Sequence, residues 1–173
     1  MAVLLNQASN LRFRIELVRR ISDGITSPAS LAIEAHVECY RHQPRLGFAA
    51  LLTVPKATLL DLDLIHFLES LEEMLEAVHG GDAERTASLE ATVEPTVAIR
   101  IGGGPEAFQV EVGIDLLHVL EKVAGVASER GADLALFRFF ANGRAVLAFC
   151  QGLLAEFARF PTDPSKVAKG TPG

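Results

Sequence analysis

The amino-acid sequence predicts an α+β fold: an antiparallel sheet of about five or six strands, helices packed on one side of it, and a helical C-terminal extension. Three features carry that reading. Stretches in which apolar and polar residues alternate, the period of a half-buried strand, lie on both sides of one long helical stretch. That stretch, from Thr58 to Gly81, places Leu64, Leu68, Leu71, Leu75 and Val78 at spacings of four, three, four and three. Loop chemistry, as in Ser22-Asp-Gly-Ile-Thr-Ser-Pro28 and Gly102-Gly-Gly-Pro105, separates the runs. A length of 173 residues suits one domain with a full core. The domain is predicted to span 1–160, with the sheet and two helices in 11–130 and the helical extension in 131–160. The polar stretch 161–173 is predicted to be a disordered tail.

Residues 1–10 read as a loose leader. The first strand alternates Leu11, Phe13, Ile15 and Leu17 against Arg12, Arg14 and Glu16. The second alternates Leu31, Ile33, Ala35, Val37 and Cys39 against Glu34, His36, Glu38 and Tyr40, and His42-Gln-Pro44 turns the chain. Leu46, Phe48, Ala50, Leu52 and Val54 form the third, ended by Pro55.

The organising helix follows at 59–79. Leu60, Phe67 and Met74 widen its apolar stripe on one side and Ile65 on the other. Thr58, Asp61 or Asp63 can cap its start, and Gly80-Gly81 ends its last turn. Glu69, Glu72, Glu73 and Glu76 occupy the opposite face, within about 100° of one another on the helical wheel. No Lys or Arg lies between Asp61 and Asp82, although like charges at spacings of three and four repel.

Residues 87–93 and 96–101 read as strands interrupted at Pro95, and Phe108, Val110, Val112 and Ile114 make another. Asp115 caps a second helix at 116–130, with Leu116, Leu117, Leu120, Val123, Ala124 and Ala127 inward. Residues 132–145 contain no Val, Ile or Thr and are rich in Ala and Leu. They predict a short helix capped at Asp133 and closed by Asn142-Gly143, rather than the hairpin that Asn-Gly would otherwise signal. A final helix at 145–160 puts Val146, Phe149, Leu153, Phe157 and Phe160 on one stripe. No internal repeat is visible.

Composition excludes several functions. With 49% hydrophobic residues the chain is greasy, yet no run approaches the roughly 18 to 20 apolar residues of a membrane span. Met1-Ala-Val-Leu-Leu5 is too short for a signal-peptide core, which predicts a cytoplasmic protein without membrane attachment. A net charge of −6 argues against nucleic-acid binding and permits a basic partner. Cys39 and Cys150 show no metal spacing and read as two buried thiols.

Candidate chemistry is sparse. His36-Val-Glu38 has the His-x-Glu of zinc deaminases without a Pro-Cys-x-x-Cys partner. Asp61 and Asp63 point about 200° apart on a helix, so helix capping explains them better than an ion shared with His66. Gly102-Gly-Gly lacks the Lys-Ser/Thr of a phosphate loop and reads as a tight turn. Cys39 points away from His36 and His42, against a nucleophilic role. The charges Arg12, Arg14, Glu16, Glu34, His36 and Glu38 read as cross-strand ion pairs. No catalytic residue, metal or cofactor is predicted.

The strand Leu31-Ala-Ile-Glu-Ala-His-Val37, the helix Phe67-Leu-Glu-Ser-Leu-Glu-Glu-Met-Leu75 and the strand running into a helix at Phe108-Gln-Val-Glu-Val-Gly-Ile-Asp-Leu-Leu117 carry a resemblance. Over residues 11–125 the chain resembles WapI-type immunity proteins and related small bacterial domains in its order of elements. That resemblance implies a non-enzymatic cytosolic protein that binds and neutralises a cognate toxin.

The leading expectation is a non-catalytic protein-binding module, with Glu69, Glu72, Glu73 and Glu76 as the docking face for a basic protein. The alternative is an oligomeric structural or assembly subunit. Under either reading the stripe Val146, Phe149, Leu153, Phe157 and Phe160 is expected to form a homodimer contact. A third reading is a small-molecule or enzymatic domain whose pocket residues are scattered along the chain.

Overall fold

The computed structural model describes residues 1–22, 24, 27–41, 47–81, 85–91, 96–104, 106–116 and 134–161. The α+β class is as predicted, but the strands divide between two four-stranded antiparallel sheets. The first sheet contains β1 (Ala2–Leu5), β2 (Leu11–Ser22), β3 (Ser30–Arg41) and β4 (Gly47–Leu60), in that order, and helix α1 (Asp61–His79) follows it. The second contains β5 (Thr86–Glu90), β6 (Val97–Gly103), β7 (Phe108–Asp115) and β8 (Leu134–Ala141), and helix α2 (Gly143–Phe157) follows that. The expected second helix beyond Leu116, the expected turn at His42-Gln-Pro44 and the interruption at Pro95 lie outside the described residues, as do residues 162–173.

The two halves therefore share one plan, four strands in sequential order and then a helix, although no repeat is visible in the sequence. Equivalence can be read from the register. Ala2, Ile15, Ala35 and Val54 lie side by side across the first sheet, as do Ala87, Ile101, Val110 and Phe139 across the second. The next row is Leu4, Phe13, Val37 and Leu52 in one sheet and Leu89, Ile99, Val112 and Phe137 in the other. In both sheets the final member of that second row is the half-buried one. The helices match at one constant offset: Leu64, Phe67, Leu68 and Leu71 of α1 stand where Val146, Phe149, Cys150 and Leu153 stand in α2, all buried.

Packing is reciprocal. Helix α1 lies chiefly against β5, the first strand of the other half, and α2 lies against β1. Each half thus covers its partner, and buried residues of both belong to one hydrophobic core. Phe149 of α2 meets Phe13 of β2 edge-on, with ring centroids 6.2 Å apart. Burial of such side chains contributes about 1.5–3 kcal/mol each. The β1–β2 turn also touches β8, where the Gln7 backbone N–H donates to the Phe140 carbonyl at 2.8 Å.

Several expectations require correction. Residues 2–5 form a strand, not a loose leader; Ala2 and Leu4 point inward, but four residues are too few for alternation to register. Pro55 does not end its strand, because β4 is an edge strand that absorbs it. While β3 advances from Ile33 to Ala35, β4 steps from Ala57 to Val54, which places the extra residue of a bulge at Pro55-Lys56.

Residues 134–141 are a strand rather than a helix. Ala135, Phe137, Phe139 and Ala141 alternate with Leu134, Leu136, Arg138 and Phe140, and apolar residues on both faces concealed the period. The predicted helical extension is thus β8 followed by α2. Asn142-Gly143 opens α2 instead of closing an earlier helix: the Asn142 side chain accepts a hydrogen bond from the Ala145 N–H at 2.8 Å. Such a cap contributes about 1 kcal/mol.

Candidate functional site

Helices α1 and α2 run antiparallel, and their two ends differ. At one end the start of α1 meets the chain leaving α2. Leu60 holds the N-cap position without a side-chain cap, so neither Asp61 nor Asp63 caps α1 as expected. Asp61, one residue inside the helix, is buried and accepts from Arg20 Nη1 with both carboxylate oxygens, at 3.0 and 2.8 Å. Arg20 Nη2 donates to the Phe160 carbonyl just past α2. One guanidinium therefore ties together β2, α1 and the chain after α2, and a carboxylate in the first turn also suits the helix dipole.

At the other end the helices part. A groove of about 540 Å³ opens between the last turns of α1 and the first turns of α2. Leu75, Val78 and His79 line it from α1, Gly143, Arg144 and Leu147 from α2, and Phe108 from β7. It continues past Leu147 into a depression bordered by Glu72 and Glu76. Gly143 occupies the position in the second half that Asp61 occupies in the first. With no side chain there, the way to Phe108 stays open: a Cβ on Gly143 would lie 3.5 Å from the Phe108 ring. The matching strand also stops short, since β6 ends at Gly103 and carries no counterpart of Arg20. The His79 Nδ1–H donates to the Leu75 carbonyl at 2.8 Å, which pins the ring against its own helix.

The groove walls have contrasting chemistry. Glu69, Glu72, Glu73 and Glu76 are all exposed, as predicted. Glu73 pairs with Arg85 Nη1 at 3.3 Å, whereas Glu72 and Glu76 face the groove. On α2, Leu147 is 47% and Leu154 40% exposed, large apolar side chains seven residues apart on one edge. Between Arg144 and Arg159 the single charge is Glu156, and it is turned inward. There it receives Arg159 Nη1 at 2.7 Å and the Met1 amino group. Burial would raise the Glu156 carboxyl, but these cations outweigh it and hold the group below its usual value.

The predicted oligomer stripe is not a surface. Val146, Phe149 and Leu153 are fully buried against the chain's own sheet, and Phe157 and Phe160 pack on the same core. Strands β1 and β2 cover Val146, Phe149 and Leu153, which leaves only the half-buried Phe157 and Phe160 of the stripe partly accessible. Sequence reasoning missed the residues beside that stripe, Leu147 and Leu154, together with Leu75, Val78, Phe108, Gly143 and Arg144. A signal existed: Leu147 and Leu154 stand off the buried stripe in a stretch almost without charge.

The remaining candidates form no site. On the face of the first sheet opposite the core, Arg12 Nε contacts Glu38 Oε2 at 2.5 Å and Arg14 lies 3.6 Å from Glu38, both across strands as expected, while the Arg14–Glu16 pair, also 3.6 Å, lies within β2. His36 Nδ1 sits 3.1 Å from Thr53 Oγ1. Burial, reinforced by the Arg14 charge, lowers the His36 pKa against the opposing pull of Glu38, Glu34 and Glu16. No three His, Cys, Asp or Glu side chains converge on a metal position among the described residues. Cys39 is half-buried, not buried as expected. Cys150 is buried, and burial, with Glu72 nearby, pushes its thiol upward and away from nucleophilic use. Gly102-Gly103 closes β6, with Gly103 at φ +128°.

What the fold and groove define is a two-sheet α+β protein with an acidic and apolar cleft between its helices. Comparison with known proteins finds no matching family model, no matching curated protein and no matching solved structure. No helix among the described residues is long and apolar enough to cross a membrane.

Proposed function

We propose that the chain is a non-catalytic protein-binding module whose docking site is the α1–α2 groove. One observation carries this reading: an open groove with an apolar floor is bordered on one helix by Glu72 and Glu76, which have no ion pair among the described residues, and on the other by the exposed Leu147. Apolar contact supplies affinity, while the carboxylates speed encounter with a basic partner and select it. In its most concrete form the module neutralises a cognate toxin, the role implied by the resemblance to WapI-type immunity proteins. The assembly-subunit alternative loses its motivating surface with the burial of Phe149.

The test is site-directed photo-crosslinking in the cell that encodes the protein. Benzoylphenylalanine in place of Leu147 is expected to trap one discrete protein adduct. The same probe in place of Leu136, which is also exposed but lies on the outer face of β8, is the control. No adduct at Leu147, or the same adducts at both positions, would overturn the reading.

A further inference from the structure

Resting on the groove as a protein-docking site, we infer that its occupant is an α-helix of the partner, with apolar residues along one side and lysines or arginines along the flank that meets α1. Two independent features of the groove lead there. The first is backbone chemistry. Apart from Phe108, the groove is walled by residues of two helices, so no strand ladder lines it; the backbone groups without i,i+4 partners are confined to the last turn of α1 and the first turn of α2. An extended peptide would bring its own N–H and C=O groups against Leu75, Val78, Phe108 and Leu147 without a sheet edge to pair them. A helix brings its backbone already paired, and two antiparallel helices leave between them the seam into which a third helix packs.

The second feature is the division of chemistry across the seam. Glu72 and Glu76 lie one turn apart on the α1 side, with Glu69 behind them. Leu147 lines the groove on the α2 side, and Leu154 is exposed two turns further along the same helix, beyond the lining. Arg144 stands on the α2 wall, so a partner cation is favoured at the α1 wall and repelled at the other. The site thus selects not merely net positive charge but its position: cations on one flank of an apolar stripe.

Three synthetic peptides of ~18 residues, five helical turns, test this against the full-length protein. One carries leucines at helical spacing with lysines on a single flank. A second has the same composition in strict alternation, which favours an extended strand, and a third replaces the lysines of the first with glutamates. The first is expected to bind in the micromolar range, at least about tenfold more tightly than either other. Binding should weaken about tenfold in E72K/E76K and in Leu147→Glu, with unfolding midpoints unchanged. Equal or tighter binding by the alternating or acidic peptide, binding unaffected by these substitutions, or no binding by any peptide would overturn the inference. If Leu147 crosslinking still traps a protein, the docking site stands and only the helical, basic occupant falls; if crosslinking fails as well, both fall.

Discussion

Helices α1 and α2 occupy equivalent places in the two halves, and their buried and exposed faces have followed different rules. Facing the core, Leu64, Phe67, Leu68 and Leu71 match Val146, Phe149, Cys150 and Leu153 in position and in apolar character, Cys150 being the one markedly smaller member. Facing outward, Glu69, Glu72, Glu73 and Glu76 stand where α2 has Gln151, Leu154, Ala155 and Ala158. Close packing holds the first set alike, because any change of volume there creates a cavity or a clash. Nothing in the core constrains the second set. The two helices thus present charge and grease side by side, and the proposed docking site rests on that contrast, which a symmetrical pair would lack.

The largest effects should come from the shared core. Phe67→Ala and Phe149→Ala should each cost about 3–5 kcal/mol in denaturant unfolding, and the two losses should agree to within about 1 kcal/mol if the positions are equivalent. A Phe149 variant that folds normally while its Phe67 mate unfolds would break the comparison between halves.

The two ends of the helix pair sharpen it next. Asp61→Ala leaves the Arg20 guanidinium without its carboxylate at the closed end and should cost about 2–3 kcal/mol. Gly143→Ala, the equivalent change at the open end, should alter stability by no more than about 0.5 kcal/mol. There the new methyl group meets only the edge of Phe108 in ordinary contact. A large loss at Gly143 would mean that the groove end is as tightly organised as the clamp.

A smaller effect is expected from Glu156, which α1 answers with Met74. Since its folded pKa lies below the unfolded value, it binds fewer protons when folded. The stability it contributes is present above the unfolded value and is lost as pH falls through the lowered folded one. Urea titrations of Glu156→Gln across the acid range should therefore show a shallower acid limb than wild type. Identical limbs would remove Glu156 from the account.

The fold was legible where one face of an element was apolar and the other polar. That held for β2, β3, β7 and α1, whose alternation or helical spacing is plain. It failed at β8, where Leu134, Leu136 and Phe140 face outward and blur the period of two. It failed again at β1, which is too short to show one. The acidic half of the site was readable because four glutamates without a compensating lysine stand out on a helical wheel. The apolar half was not, since telling Leu147 from Val146 needs the direction in which α2 packs. That direction is set by β1, far away in sequence. The repeat stayed hidden for a similar reason: strand lengths differ between halves, and equivalence lies in register rather than residue identity.

The central claim is that the open end of the helix pair, and not the clamped end, meets a partner. Amide hydrogen exchange of the full-length protein, with and without the partner trapped at Leu147, tests it most directly. Added protection is expected in the last turns of α1 and the first turns of α2, around Leu75 to His79 and Gly143 to Leu147, with Asp61 to Ile65 and Glu156 to Phe160 unchanged. Protection confined to the Arg20–Asp61 end, or spread equally over both ends, would contradict the account.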